Sequence, residues 1–230
     1  MKIIRYGLTL HRLSIDDIEL VRQHRNSEEI NKYMEYKEYI TPEMQLKWFQ
    51  SIDNVLNWYY IIEFNNKKIG LISERLYQHG IHAESGMFIW DQEFIGTMVP
   101  TLASLILMEI GFYIIGGKES VIRVLKSNDR AIQYNKMLGY ELCEKQENIE
   151  NQLYKLTKDD FIKNTKKLRK AALQFSGNDN LIELYFSNND YLSGIAQVLE
   201  QVFTQPDFSN LINCEILPDG KRYYSTTLFM

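Results

Sequence analysis

The chain has 230 residues, enough for one large domain or one domain with a small addition. A hydrophobic fraction of 45% and a charged fraction of 24% supply a globular core of ordinary composition. With 26 basic against 30 acidic residues the net charge is −4, which argues against a general nucleic-acid binder, since such proteins carry a basic excess.

Met1 is followed by a charged, mixed stretch with strand-like Ile3-Ile4 and no secretory pattern, so a cytoplasmic location is expected. Leu8 to Leu13 alternates with the period of a strand. Ser14 with Asp17 three residues on marks the start of a helix carrying Ile18, Leu20 and Val21 to about Ser27. A second short helix fits Glu28 to Met34. Thr41-Pro42-Glu43 opens a third, with Leu46, Trp48 and Phe49 on its apolar side. Three strands follow, Trp58–Phe64, Lys68–Arg75 and Ala83–Trp90, the first two joined by the turn Asn65-Asn66-Lys67.

Asp91 to Gly96 reads as a loop. Thr97 to Ile115 reads as a helix apolar nearly all round, hence buried against a sheet, and Gly116-Gly117 ends it. The apolar region from Met98 to Ile115 is broken by Pro100 and Glu109 and is too short for a good membrane span. Ser120–Leu125 is a β-branched strand. Ser127-Asn128-Asp129 caps a short helix, Arg130–Leu138, which stops at Gly139. Tyr140–Lys145 and Gln152–Thr157 form a strand pair. The predicted class is α/β (α+β), a mixed sheet with helices on both faces.

Lys158 to Leu173 reads as a basic amphipathic helix whose lysines form a solvated face. Beyond the linker Ser176–Asn180, strand Leu181–Phe186, helix Tyr191–Phe203 and strands Leu211–Leu217 and Arg222–Phe229 make a small β-α-β-β appendix. The chain thus divides at residue 162, into 1–162 and 163–230. Cys143 and Cys214 lack metal-ligand spacing and are expected as free core thiols; no metal site is expected.

The stretch Val121-Ile122-Arg123-Val124-Leu125-Lys126-Ser127-Asn128, followed by Ala131, Tyr134 and Leu138-Gly139-Tyr140, resembles the GNAT acetyltransferase superfamily. Lys68-Ile69-Gly70-Leu71-Ile72 is similar to the second strand of that family's hairpin, Ala83-Glu84-Ser85-Gly86-Met87-Phe88-Ile89 to its splayed fourth strand, and Leu153–Phe161 to its last strand and tail. Arg25-Asn26, Tyr33-Met34, Thr41-Pro42-Glu43 and Trp48-Phe49 resemble the branch of ribosomal-protein and amino-sugar N-acetyltransferases. One feature departs from the pattern. The family's Gln/Arg-x-x-Gly-x-Gly/Ala loop falls on Glu93–Met98, where Gly96 alone survives and Pro100 follows.

The resemblance implies a sheet with a V-shaped split between its fourth and fifth strands, filled by the pantetheine arm of acetyl-CoA as co-substrate. It implies an acceptor that is a small-molecule primary amine, a nucleotide-linked amino sugar among the candidates, or else a protein N-terminus. Neither nucleic acid nor membrane is an implied partner, and a homodimer is left open. Phe88, Ile89 and Trp90 would line the arm; Gly96, Thr97 and Met98 would face the diphosphate at a helix N-terminus, where unpaired amides suit an anion. Asn128 would cap the next helix or bond the arm, with Arg130 beside it. Tyr134 would protonate the leaving thiolate, since a phenol stays protonated at neutral pH. Glu84 would be the base, with Glu63, His79 and His82 as rivals. A non-catalytic scaffold with a degenerate loop is the alternative.

Overall fold

A computed structural model describes residues 1–77 and 82–229. Lys2–Arg5 (β1) and Leu8–Arg12 (β2) form a hairpin across Tyr6-Gly7, both at positive φ, the turn geometry that matches strand twist. β1 is one strand more than the chain-order reading contained. Ser14 and Asp17 then close a reciprocal capping box, as their spacing predicts, and helix α1 (Ile18–Asn26) runs on from it. Asp17 also takes Lys68 Nζ at 2.6 Å, so the cap ties α1 to the sheet. The second predicted helix is shorter than expected, Glu28–Asn31 (α2). Thr41 caps α3 (Pro42–Ile52) by accepting from the Met44 N–H at 3.2 Å, with Pro42 at the first position.

Asn57–Phe64 (β3), Lys67–Tyr77 (β4) and His82–Ile89 (β5) form an antiparallel meander. The first turn is two residues, Asn65 and Asn66, both at positive φ. Val99–Glu109 (α4) is buried along its whole length and continues as a π-helical turn, Ile110–Ile114, instead of the unbroken α-helix expected. The widened turn falls where Gly111 packs against the Glu74 carboxylate; a Cβ there would lie 3.3 Å from it.

Glu119–Leu125 (β6), Asp129–Leu138 (α5), the two-residue strand Glu141–Leu142 (β7) and Asn151–Thr157 (β8) follow. α5 ends at Gly139, φ +100°, the left-handed stop that glycine takes without penalty. The predicted basic helix breaks at the buried Thr165 into Lys158–Asn164 (α6) and Lys166–Phe175 (α7). Lys163, Lys166, Lys167 and Lys170 are exposed, the solvated face the pattern implied.

Ile182–Ser187 (β9), Asn188–Leu192 (α8), Ile195–Phe203 (α9), Pro206–Ser209 (α10), Asn213–Leu217 (β10) and Gly220–Ser225 (β11) complete the chain. β9 pairs with β1, so the C-terminal strands extend one sheet of order β10-β11-β9-β1-β2-β3-β4-β5-β6-β8-β7. Every pairing is antiparallel except β5 with β6. On one face α4, α5 and the C-terminal helices pack on Tyr60, Ile62, Ile72 and Ile89. On the other, α1 to α3 cover Ile61, Leu71 and Trp90. Both cysteines are free, but neither lies in the core: Cys143 is half-buried and Cys214 exposed, because β7 and β10 lie at the two ends of the sheet.

Candidate active site in the strand split

The parallel pairing of β5 and β6 lasts three residues: His82, Ala83 and Glu84 face Glu119, Ser120 and Val121. Beyond Glu84 and Val121 the strands part, and β5 from Ser85 to Ile89 stays paired to β4 alone. The extra strand β1 shifts the count by one, so this is the split expected between the fourth and fifth strands. An unpaired β5 edge offers backbone amides and carbonyls to an extended ligand, which is what a pantetheine arm requires.

Alternation along β5 divides its side chains between the two faces. Met87 and Ile89 pack toward α4; Phe88 and Trp90 pack toward α1 and α3. Trp90 is bound on both counts: its N–H donates to Ile69 O at 3.0 Å and its Nε1 to Lys68 O at 2.9 Å, while its ring stacks on His24 at 4.6 Å. Burial lowers the pKa of His24, which favours the neutral imidazole on that stack. Arg25, next on α1, sits over Phe88 at 5.9 Å. Its Nη1 is buried with no hydrogen-bond partner among the described residues, and burial pulls its pKa down.

On the α4 face lies Tyr134, held by α5 and capped into place by Asn128, whose side chain accepts from the Ala131 N–H at 3.1 Å. The Tyr134 hydroxyl donates to Pro100 O at 3.0 Å in the first turn of α4. Ser104 Oγ, 2.8 Å away, therefore donates to the phenol oxygen. Burial pushes the Tyr134 pKa up to about 12, opposed by the Ser104 hydrogen bond, so the group is a proton donor at neutral pH. Arg130 is exposed on the first turn of α5.

At the N-terminus of α4, Gly96 has φ +83° with open space beside it, so backbone can be approached closely there. Pro100 has no N–H to give, and the Val99 N–H bonds the Thr97 hydroxyl at 3.3 Å. Thr97 is itself tied to Phe94 O at 2.8 Å, and Met98 occupies the cap position. Glu93 is offset by Lys67, which lies 3.2 Å from it and 2.6 Å from Asp91.

Glu84 is half-buried at the last pair of the split, opposite Arg75 on β4, facing α1 to α3. The split does not gather its rivals. Glu63 lies on β3, 3.2 Å from His11, with β4 between it and β5. His82 sits at the closed end, 3.0 Å from Glu119. His79 lies outside the described residues. Among the described residues no group of three or more His, Cys, Asp or Glu could hold a metal ion, and no helix is long and apolar enough to cross a membrane.

Sequence reasoning passed over Glu74. It sits between Ile72 and Leu76 on the α4-facing side of β4 and is only 3% exposed. Its Oε1 accepts from Ser85 Oγ at 3.3 Å and its Oε2 has no partner among the described residues. Burial pushes its pKa from 4.5 up to about 8. The period-2 pattern of Ile72, Glu74 and Leu76 was the available signal.

Between pH 4.5 and about 8 the unfolded carboxyl has lost its proton and the folded one keeps it. The unfolded chain then binds fewer protons, so stability falls with rising pH across that window and levels off above it. The limiting slope is about 1.4 kcal/mol per pH unit. Glu74→Gln removes this ionisation, so its advantage over the parent is expected to grow from pH 5 to pH 8 by on the order of 3 kcal/mol at most. Urea unfolding at the two pH values checks this; a constant difference refutes it.

The sequence profile of the acetyltransferase (GNAT) domain family matches residues 7–141, more than half of the chain. No curated protein matches the sequence. Among solved structures, a domain from Methanocaldococcus jannaschii DSM 2661 is 23% identical, with a TM-score of 0.57 over 65% of this chain and 97% of that one. Apo FdhC, a nucleotide-linked sugar GNAT, is 20% identical, with a TM-score of 0.61 over 74% and 97%. The aminoglycoside acetyltransferase AAC(6')-Ib in complex with ribostamycin and coenzyme A is 15% identical, with a TM-score of 0.59 over 68% and 96%. At these identities the likeness is one of fold.

Proposed function

Because the chain belongs to the GNAT acetyltransferase domain family and is an acyltransferase, we propose that it moves an acetyl group from acetyl-CoA to the primary amine of a small, anion-bearing acceptor such as a nucleotide-linked amino sugar. The observation that carries this reading is the parting of β5 from β6 just past Glu84, with the Tyr134 hydroxyl held beside the gap on the α4 face.

The edge of β5 from Met87 to Trp90 would pair with the pantetheine amides, and the Gly96–Met98 turn would lie at the diphosphate. When bound, the co-substrate supplies an activated acyl thioester. Tyr134 then turns its O–H from the Pro100 carbonyl to the departing sulfur. Ser104, which donates to the phenol oxygen, stabilises the charge left on it. Glu84 stands at the split on the opposite face, toward α1 and α3 and away from Tyr134. The acyltransferase unit in this reading is 1–162, with 163–230 as an extension of the sheet edge.

Two features support an anionic acceptor. Arg25 is a desolvated guanidinium with a buried donor left unpartnered among the described residues, and such a donor is costly unless a ligand satisfies it. Beyond the end of α1 lies an open hollow of about 330 Å³, lined by Asn26, Glu28, Asn31, Lys32, Lys37 and Tyr39, whose cations and tyrosine suit a phosphorylated sugar. Arg25→Ala is expected to raise KM for such an acceptor by about 10- to 100-fold, with kcat little changed. Equal KM values would remove the anionic requirement.

The test of the whole reading is calorimetry with acetyl-CoA, followed by thiol release over a panel of amines. Micromolar binding and acceptor-dependent thiol release are expected. No binding at millimolar acetyl-CoA would sink it and favour a scaffold with a degenerate loop.

A further inference from the structure

Four side chains join across the closed end of the split: Glu74 on β4, Ser85 on β5, Ser120 on β6 and Tyr140 after α5. Ser85 Oγ lies 3.3 Å from Glu74 Oε1, Ser120 Oγ 2.9 Å from Ser85 Oγ, and Tyr140 Oη 2.7 Å from Ser120 Oγ. The ends fix the direction of the chain. When Glu74 is ionised it can only accept, and burial raises the Tyr140 pKa, so its O–H stays on and donates. Every hydroxyl therefore points toward Glu74, and each hydrogen bond polarises the next. Ser85 accepts from Ser120 and donates to Glu74, which leaves its second lone pair for a further donor. It is the first residue of β5 past the last pair with β6, and it is only partly buried.

Two other features meet at the same carboxylate. The helix above it widens into a π turn at Gly111, a distortion that recurs at functional sites. Beside it lies a cavity of about 10 Å³, lined by Glu74, Gly111, Phe112, Glu119 and Ser120 among others, the size of one water molecule. Glu119, which also lines it, is paired with the partly buried His82 and the exposed Lys155. The titratable groups around Glu74 are thus Tyr60 from β3, His82 from β5, Glu119 from β6 and Tyr140 after α5; Gly111 and Phe112 of the π turn bring none.

We propose that Glu74 is the proton store of the transfer reaction, taking the proton of the attacking amine through Ser85 and releasing it by way of the cavity to Glu119 and His82. This rests on the acyl-transfer reading of the split and deepens it. The acceptor ammonium gives one proton to Ser85 Oγ as the Ser85 proton passes to the Glu74 carboxylate. The freed amine forms the C–N bond as the C–S bond breaks. Tyr134 protonates the sulfur and recovers a proton from the nitrogen, and Glu74 returns its own proton to solvent. Glu74 acts through Ser85, so it is a positioning residue for proton movement. Because burial holds Glu74 near 8, its ionised, proton-accepting form gains population toward the alkaline side of neutrality, and the relay works through that form.

The experiment is the pH profile of kcat/KM for the parent chain, Glu74→Gln, Glu74→Asp and Ser85→Ala, with calorimetric acetyl-CoA binding measured for each. Glu74→Gln and Ser85→Ala are expected to bind acetyl-CoA like the parent and lose about 100-fold in rate at pH 8. The loss should shrink as pH rises and the amine deprotonates unaided. Glu74→Asp should move the acid limb of the profile rather than abolish it. A Glu74→Gln profile that overlays the parent's overturns the proposal and leaves acyl transfer standing. If Glu74→Gln does not fold, an unshifted limb in Glu74→Asp with full rate in Ser85→Ala overturns it equally. A parent chain that neither binds acetyl-CoA nor releases thiol refutes the underlying reading instead.

Discussion

Tyr134→Phe is expected to lower kcat by about 100-fold while leaving acetyl-CoA affinity unchanged, because it removes one proton and keeps the ring that packs beside α4. The hydroxyl has two partners in the free protein, Pro100 O at 3.0 Å and Ser104 Oγ at 2.8 Å. Losing them costs about 1 kcal/mol of stability per net hydrogen bond, too little to unfold a chain of this size. A structural role would therefore leave turnover intact and lower the melting temperature slightly. An acid role adds a loss of turnover: kcat and kcat/KM fall together, the mark of an interaction made only in the transition state. Single-turnover thiol release separates the two, and unchanged turnover removes the assignment.

The largest stability effect is expected at Glu109, in the last turn of α4 and 1% exposed. Its Oε2 accepts from Arg5 Nε at 2.7 Å and its Oε1 from the Tyr6 hydroxyl at 2.8 Å. Arg5, itself 2% exposed, also donates to Asn180 O at 2.9 Å, and its guanidinium lies over the rings of Tyr6 and Phe229 at 4.2 and 4.5 Å. One ion pair thus joins the buried helix, the β1–β2 hairpin and the start of the C-terminal strands. Glu109→Ala leaves a buried guanidinium without its counter-charge, at a cost of about 3–5 kcal/mol. Replacing both partners, as in Arg5→Met with Glu109→Leu, is expected to recover most of that loss, since no charge is then stranded. Urea unfolding of the single and double variants checks both statements. A Glu109→Ala loss below about 1 kcal/mol would mean that water reaches the site.

The two effects live on different links of the same chain of causes. Glu109 holds α4 against the sheet through side chains far apart in sequence. Tyr134 then uses the first turn of that helix as its resting place. A destabilised Glu109 variant that still folds is expected to keep Tyr134 chemistry, since α5 is fixed independently by its Asn128 cap and its Gly139 stop.

Local chemistry was legible in the sequence. The Ser14–Asp17 box, the Thr41-Pro42 start, the Asn65-Asn66 turn, the Asn128 cap and the Gly139 stop all stand at the residues expected, because each is settled within a few residues by hydrogen bonds and φ preferences. Strand-like runs likewise marked β3 to β6, and an apolar run with almost no polar face marked the buried helix. Tertiary structure decided the rest. The pairing of β9 with β1 is a register between residues far apart in the chain. So is the hydroxyl chain from Tyr140 to Glu74, whose members come from separate elements. Whether Glu74 is a solvated strand residue or a desolvated acid depends on Gly111 arriving above it, and no local pattern encodes that approach. Burial is a property of the whole packed sheet, and with it come the raised pKa values of Glu74, Tyr134 and Tyr140.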